Sequence, residues 1–156
     1  MTNEPFQKLK CVGYWSTDSN ALINTPDLLP DPADLASYVS SYVCPLEPDE
    51  NKVMNYLGSG VTFVHWRGLS WCRICNNEFN GSKCLTDGTW IWPEGLSHYI
   101  SEHSLQLPGE FVEHMKSNEW TIPISSISRP RNVSECYDFS FWLKWSRQAM
   151  VHKENP

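Results

Sequence analysis

Apolar positions fall into short groups separated by prolines and polar runs, and their spacing alternates between helical and extended. Leu35, Tyr38 and Val39 lie on one face of a predicted helix over Pro32–Ser41, which Asp31 and Pro32 start as N-cap and first helical residue. Val53, Met54 and Leu57 mark a second helix over Pro48–Leu57, with Gly58 as its stop. Val61–Trp66 is β-branched and aromatic and reads as a strand, turned by Arg67-Gly68. Leu85–Trp92 encloses Thr86-Asp87-Gly88, a tight-turn signal between apolar residues, and Trp90 and Trp92 alternate onto one sheet face. Pro93-Glu94 predicts a helix start, with Leu96, Tyr99 and Ile100 as its apolar stripe. Pro108–Lys116 is a further predicted helix, with Phe111, Val112 and Met115 inward.

The flanks are less regular. Cys11–Trp15 reads as a short edge strand. Thr25–Pro32 carries three prolines and runs extended. Residues 118–136 are rich in serine and proline and read as loop. Asp138–Val151 fits both periods, and the helical one is preferred: Trp142, Trp145 and Ala149 share a helix face, while Phe139, Phe141, Leu143 and Trp145 alternate. The pattern implies an α+β fold: a small antiparallel sheet, a hairpin leading into a helix, and flanking helices. One domain of 156 residues is expected, with a core over 27–117 and with 1–26 and 118–156 packed on it as peripheral extensions.

The chemistry concentrates between Trp71 and His103. Cys72 and Cys75 form a Cys-x-x-Cys pair whose two intervening residues let the chain reverse and bring both sulfurs together. His98 and His103, with four residues between them, lie on the helix after the hairpin. Two thiolates on a knuckle and two imidazoles on a following helix are the ligand set that tetrahedral Zn²⁺ prefers, in a ββα-like order. Five helical steps rotate a side chain by about 140°, so joint ligation requires the helix to tighten or fray near His103. A rival set, Cys72, Cys75, Cys84 and His98, replaces one histidine with Cys84. A set of four protein ligands is structural. A catalytic zinc would keep an open position, and His114 with Glu110 or Glu113 as base is the arrangement available for one.

These residues carry a resemblance. Cys72-Arg-Ile-Cys75, Asn80-Gly81-Ser82, the run from Leu85 to His103 and Leu107–His114 together resemble a family of uncharacterised bacterial proteins. That family has a similar Cys-Arg-x-Cys-Gly, Asn-Gly-Ser, Leu-Thr-Asp-Gly, Trp-Pro-Glu-Gly-Leu and His-Tyr series. The similarity spans roughly residues 27–115 and includes the proline-rich lead-in at Leu28–Pro32. It implies zinc and a bacterial cytoplasmic setting, and no reaction. Asn76 stands where glycine follows the second cysteine, which predicts a looser knuckle. Cys84 is particular to this chain.

Charge and composition narrow the partners. Net charge is −6, and residues 1–60 hold eight acids against three bases. An acidic chain suits a basic protein partner, such as the toxin of an immunity or antitoxin-type pair, better than nucleic acid. No stretch approaches a membrane span, and the first ten residues have no apolar run like that of a signal peptide. Six cysteines without such a signal point to metal binding in a reducing compartment, with Cys11, Cys44, Cys84 and Cys136 as free thiols. Trp66, Trp71, Trp90, Trp92, Trp120, Trp142 and Trp145 read as core packing, with a stacking platform for bases or sugars as the alternative. Arg129, Arg131, Lys144 and Arg147 read as a solvated surface. Asp87 is assigned to its turn and Glu94 to its helix N-terminus. Ser70, Ser97 and Ser101 stand near His98 without a nucleophile elbow. Two other functions stay open beside the interaction protein: a nucleic-acid-binding zinc finger and a zinc hydrolase.

Overall fold

The computed structural model describes residues 7–15, 30, 49–65, 68–76, 80–103, 105 and 107–154. The expected helix at Pro32–Ser41 and Cys44 lie outside these residues, as does nearly all of the proline-rich Thr25–Pro32 stretch. The fold is α+β. Five strands, β1 (Leu9–Cys11), β2 (Val61–His65), β3 (Lys83–Thr86), β4 (Trp90–Pro93) and β5 (Tyr137–Asp138), form one sheet in the order β2-β3-β4-β1-β5. Among the described residues, four α-helices accompany it: α1 (Glu50–Gly58), α2 (Leu96–His103), α3 (Gly109–Ser117) and α4 (Ser140–Glu154).

The sheet is mixed, where an antiparallel one was expected. β2, β3 and β4 form the antiparallel part, and β1 runs parallel to both of its neighbours, β4 and β5. The expected edge strand is therefore interior, and it ends at Cys11 instead of beginning there. Its registers, Cys11 opposite Ile91 and Leu9 opposite Tyr137, join distant parts of the chain, which local periodicity does not report. The flanks expected to pack outside thus contribute to the centre: Leu9, Cys11, Val12, Trp15, Tyr137 and Trp142 are all buried.

Local chemistry explains the elements. The β3–β4 hairpin turns on Asp87, whose carboxylate accepts the N–H groups of Thr89 (2.9 Å) and Trp90 (2.7 Å), while Gly88 takes φ +95°. Trp90 and Trp92 do share a face: both rings meet Phe111 of α3, with centroids 4.8 and 5.5 Å apart. Trp92 also donates its indole N–H to Leu57 O (3.0 Å), tying the end of α1 to the sheet. Pro93 closes β4 instead of opening a helix, and α2 starts three residues later. The ambiguous C-terminal segment takes the preferred helical reading from Ser140, and the alternating Phe141, Leu143 and Trp145 lie within that helix. Tyr137–Asp138 is strand, and the Asp138 carboxylate then accepts the Ser140 N–H (3.0 Å) and hydroxyl (2.6 Å) to start α4. Residues 118–136 are irregular apart from a short 3₁₀ turn at Val133–Cys136, and Arg129 anchors them by donating to Phe63 O (2.8 Å). Phe63 is the extra, fully buried residue where the β2–β3 register shifts.

Candidate metal centre

Cys72, Cys75, His98 and His103 converge. Their four donor atoms all lie within 4.8 Å of one another. Cys72 Sγ is 3.4 Å from His103 Nε2, and Cys75 Sγ is 3.3 Å from His98 Nε2. Bonds of about 2.3 Å to sulfur and 2.0–2.1 Å to nitrogen give a tetrahedron with edges of roughly 3.3–3.8 Å. Two edges already have that length, and side-chain rotation closes the rest. The four residues are close enough to hold a metal ion.

The knuckle forms because its backbone closes on itself. Asn76 N–H donates to Cys72 O (3.0 Å), and Ile74 N–H donates to Cys72 Sγ (3.4 Å). Asn76 takes φ +61°, in the left-handed region that glycine enters freely and asparagine next best. The substitution expected to loosen the knuckle is accommodated by this backbone, and the turn closes. Arg73 N–H donates to the Tyr99 hydroxyl (2.9 Å), which pins the tip of the knuckle to α2 between the two histidines. The 140° offset between those histidines is met at the helix end: His103 is the last residue of α2, and Leu105 N–H reaches back to Tyr99 O (3.0 Å) as the chain leaves.

A second set of contacts aligns the loop carrying the cysteines with the start of the helix carrying the histidines. Ser70 N–H donates to Gly81 O (2.7 Å), and Asn80 N–H to Ser70 O (3.0 Å), closing the loop at its base. The Glu94 carboxylate accepts the Ser82 N–H (2.8 Å), a bond across the loop in place of the expected role at its own helix terminus. A Cβ on Gly95 would sit 2.4 Å from Asn80 O. The Asn-Gly-Ser and Pro-Glu-Gly motifs are therefore the two halves of one contact. Sequence reading singled both out without finding this role, because neither half has a partner visible in its own neighbourhood.

Cys84, the rival ligand, is elsewhere. It is buried and accepts the Tyr14 hydroxyl at 3.3 Å, so the set Cys72, Cys75, Cys84 and His98 is not assembled. Burial and the neighbouring Cys84 push the Tyr14 hydroxyl well above its ordinary pKa, keeping it a donor. His114 is not in the cluster either. Its Nε2 lies 3.2 Å from the fully buried Asp87 carboxylate, which also accepts the Tyr56 hydroxyl (2.6 Å). Burial and that bond raise the Tyr56 pKa strongly. Asn118 Nδ2 lies 3.0 Å from the Tyr56 hydroxyl. Asp87 thus serves its turn, as expected, and also ties the hairpin to α1 and α3. Glu110 and Glu113 are exposed on α3. Among the described residues, the four-residue set is the one group of three or more Cys, His, Asp or Glu arranged to hold a metal.

Within the cluster, burial pushes the His103 pKa down, and His98 beside it does the same against a smaller opposing effect of Glu102. The neutral imidazole, the form that ligates metals, is favoured. Cys72 is fully buried, whereas Cys75 is exposed. The strip leading into the knuckle is exposed as well: Leu69 and Trp71 keep 54% and 46% of their surface, and the Arg73 guanidinium stacks 3.8 Å over the Trp71 ring. No helix among the described residues is long and apolar enough to cross a membrane. Comparison with protein-family models, curated proteins and solved structures gave no match.

Proposed function

We propose that the chain is a non-enzymatic interaction protein whose fold is fastened by one structural Zn²⁺ on Cys72, Cys75, His98 and His103. The observation that carries this reading is the convergence of four donor atoms from a knuckle and a helix within 4.8 Å. Thiolate and imidazole together favour zinc over hard cations, which take oxygen ligands. Four protein ligands complete a tetrahedron and leave no position for a substrate or an activated water. A hydrolase needs that position, and His114, the histidine considered for it, is engaged with Asp87.

Two features support a protein partner. The chain is acidic, with net charge −6, which favours encounter with a basic surface. Leu69 and Trp71 offer exposed apolar area beside the metal centre, and aromatic residues are enriched where partners bind. The partner we propose is a basic cytoplasmic protein, as in an immunity or antitoxin-type pair. Metal analysis of purified protein tests the first half: one equivalent of zinc with two sulfur and two nitrogen neighbours in its absorption spectrum is expected, and metal-free protein overturns it. Pull-down with the native chain and with Trp71→Ala tests the second: a basic partner retained by the first and lost by the second is expected, and recovery of no protein partner refutes it.

A nucleic-acid-binding zinc finger is the second reading. The Trp71–Arg73 stack favours it, since bases stack on such surfaces. The acidic net charge opposes it. A titration with single- and double-stranded oligonucleotides at low salt decides, and the absence of salt-dependent affinity removes it.

A further inference from the structure

We propose that Cys75 is an oxidation site through which hydroperoxides open the metal centre, with Cys72 as the resolving thiol. This rests on the zinc reading above, and its test separates the two. The geometry is asymmetric. Cys75 is exposed, while Cys72, its partner in the cluster, is fully buried. The other described cysteines, Cys11, Cys84 and Cys136, are all buried, and the Cys84 sulfur is engaged by the Tyr14 hydroxyl. A thiolate held ready by coordination and open to solvent is the form that peroxides attack. Among the described cysteines, Cys75 alone combines solvent exposure with a place in the cluster.

The second thiol is already in place. Cys72 Sγ lies within 4.8 Å of Cys75 Sγ, and two intervening residues are short enough for a disulfide. In the first step an electron pair on Cys75 Sγ attacks the peroxide oxygen. The O–O bond breaks, Cys75 becomes a sulfenic acid, and the departing hydroxide or alkoxide is protonated by a solvent proton to water or an alcohol. In the second, Cys72 Sγ attacks Cys75 Sγ, the S–O bond breaks, and the departing hydroxide is protonated to water. Two thiolates lose two electrons in all, the peroxide gains them, and two protons are consumed. The disulfide removes two of four ligands, and two imidazoles alone are a poor zinc site.

The fold limits the damage. The Arg73–Tyr99 hydrogen bond and the Gly95–Asn80 contact still hold the knuckle loop to α2 without metal. Oxidation should therefore loosen the surface beside Leu69 and Trp71 without unfolding the chain, and a dithiol reductant with added zinc should restore it.

The experiment treats full-length zinc-loaded protein with hydrogen peroxide. It follows released zinc with a chromogenic chelator and maps cysteines by alkylation after denaturation. We expect one equivalent of zinc to leave in step with a Cys72–Cys75 disulfide, while Cys11, Cys84 and Cys136 remain alkylatable. Brief alkylation of the native protein should label Cys75 at least tenfold faster than Cys72. Protein free of zinc before peroxide is added refutes the zinc reading and this proposal together. Zinc present at the start but retained, a different disulfide, Cys75 ending as sulfinic acid with Cys72 still reduced, or Cys72 labelled first each overturns this proposal alone.

Discussion

Gly95 has no room for a methyl group, because its Cβ would meet the backbone oxygen of Asn80 at 2.4 Å, where no side chain can yield. Gly95→Ala should cost about 1–3 kcal/mol, the usual range for overpacking. In a chain of this size that lowers the midpoint of thermal unfolding by several degrees, measurable by calorimetry. Cys84 provides a contrast with the four proposed ligands. Cys84→Ser keeps a hydroxyl for Tyr14 and should retain one equivalent of zinc, whereas Cys72→Ser should lose most of it; metal analysis of the two variants distinguishes a core thiol from a ligand. At this scale the sequence was informative about chemistry and silent about packing. Residue type and spacing singled out Cys72, Cys75, His98 and His103, with Cys84 as a rival, and those four are the ones that converge. That Asn80 and Gly95 touch is a fact of three dimensions, and nothing in either residue's type announces it.

The pairing of hairpin and helix is the element that organises the centre. Tyr99 belongs to the apolar stripe of α2, yet its hydroxyl takes the Arg73 N–H and sets the distance between knuckle and helix before any ion binds. Tyr99→Phe leaves that N–H without its partner, a loss of about 1–3 kcal/mol. Because the bond pre-orders the ligands, zinc affinity should fall roughly tenfold or more, read by competition with a chromogenic chelator. Hydrogen exchange offers a second check. Removing zinc should speed exchange in α2 and over residues 70–76 before it affects β3 and β4, whose ladder is independent of the ion. Uniform exchange along the chain would contradict a local clamp. Among the described residues, helices and hairpin were legible in the sequence to within a few residues. Where they were misplaced, the residue had a partner across space: Pro93 stands opposite Cys84 in the strand ladder, and the Glu94 carboxylate bonds Ser82 instead of its own helix.

Acid should act on the whole molecule in two stages. In the metal-free chain His103 has a lowered pKa, so its stabilising effect is present above the ordinary imidazole value of 6.5 and is lost as pH falls through the folded-state value. Asp138 supplies the second stage. Burial pushes its carboxyl up, but the Ser140 bonds and nearby Lys8 and Lys10 outweigh that and hold it below its ordinary value of 3.8. Its contribution is present above 3.8 and disappears as pH falls through the lowered value. Thermal unfolding in a pH series should show both declines, with His103→Gln flattening the first and Asp138→Asn the second. The order of strands was the part of the whole that no local pattern could give. Residue type and alternation placed Cys11 and Trp90 in extended segments, but gave no sign that Tyr137–Asp138 forms a strand beside the first.

That order has a consequence for a chain still being synthesised. β1 leaves the ribosome first, yet both of its neighbours, at Trp90–Ile91 and Tyr137–Asp138, are translated much later. Until then its hydrogen-bonding groups and the apolar Leu9 must be sheltered by water, by a transient contact or by a chaperone. The antiparallel unit of β2, β3 and β4 can assemble earlier, so nascent chains stalled before Tyr137 should already bind zinc while remaining sensitive to proteases at their amino-terminal end.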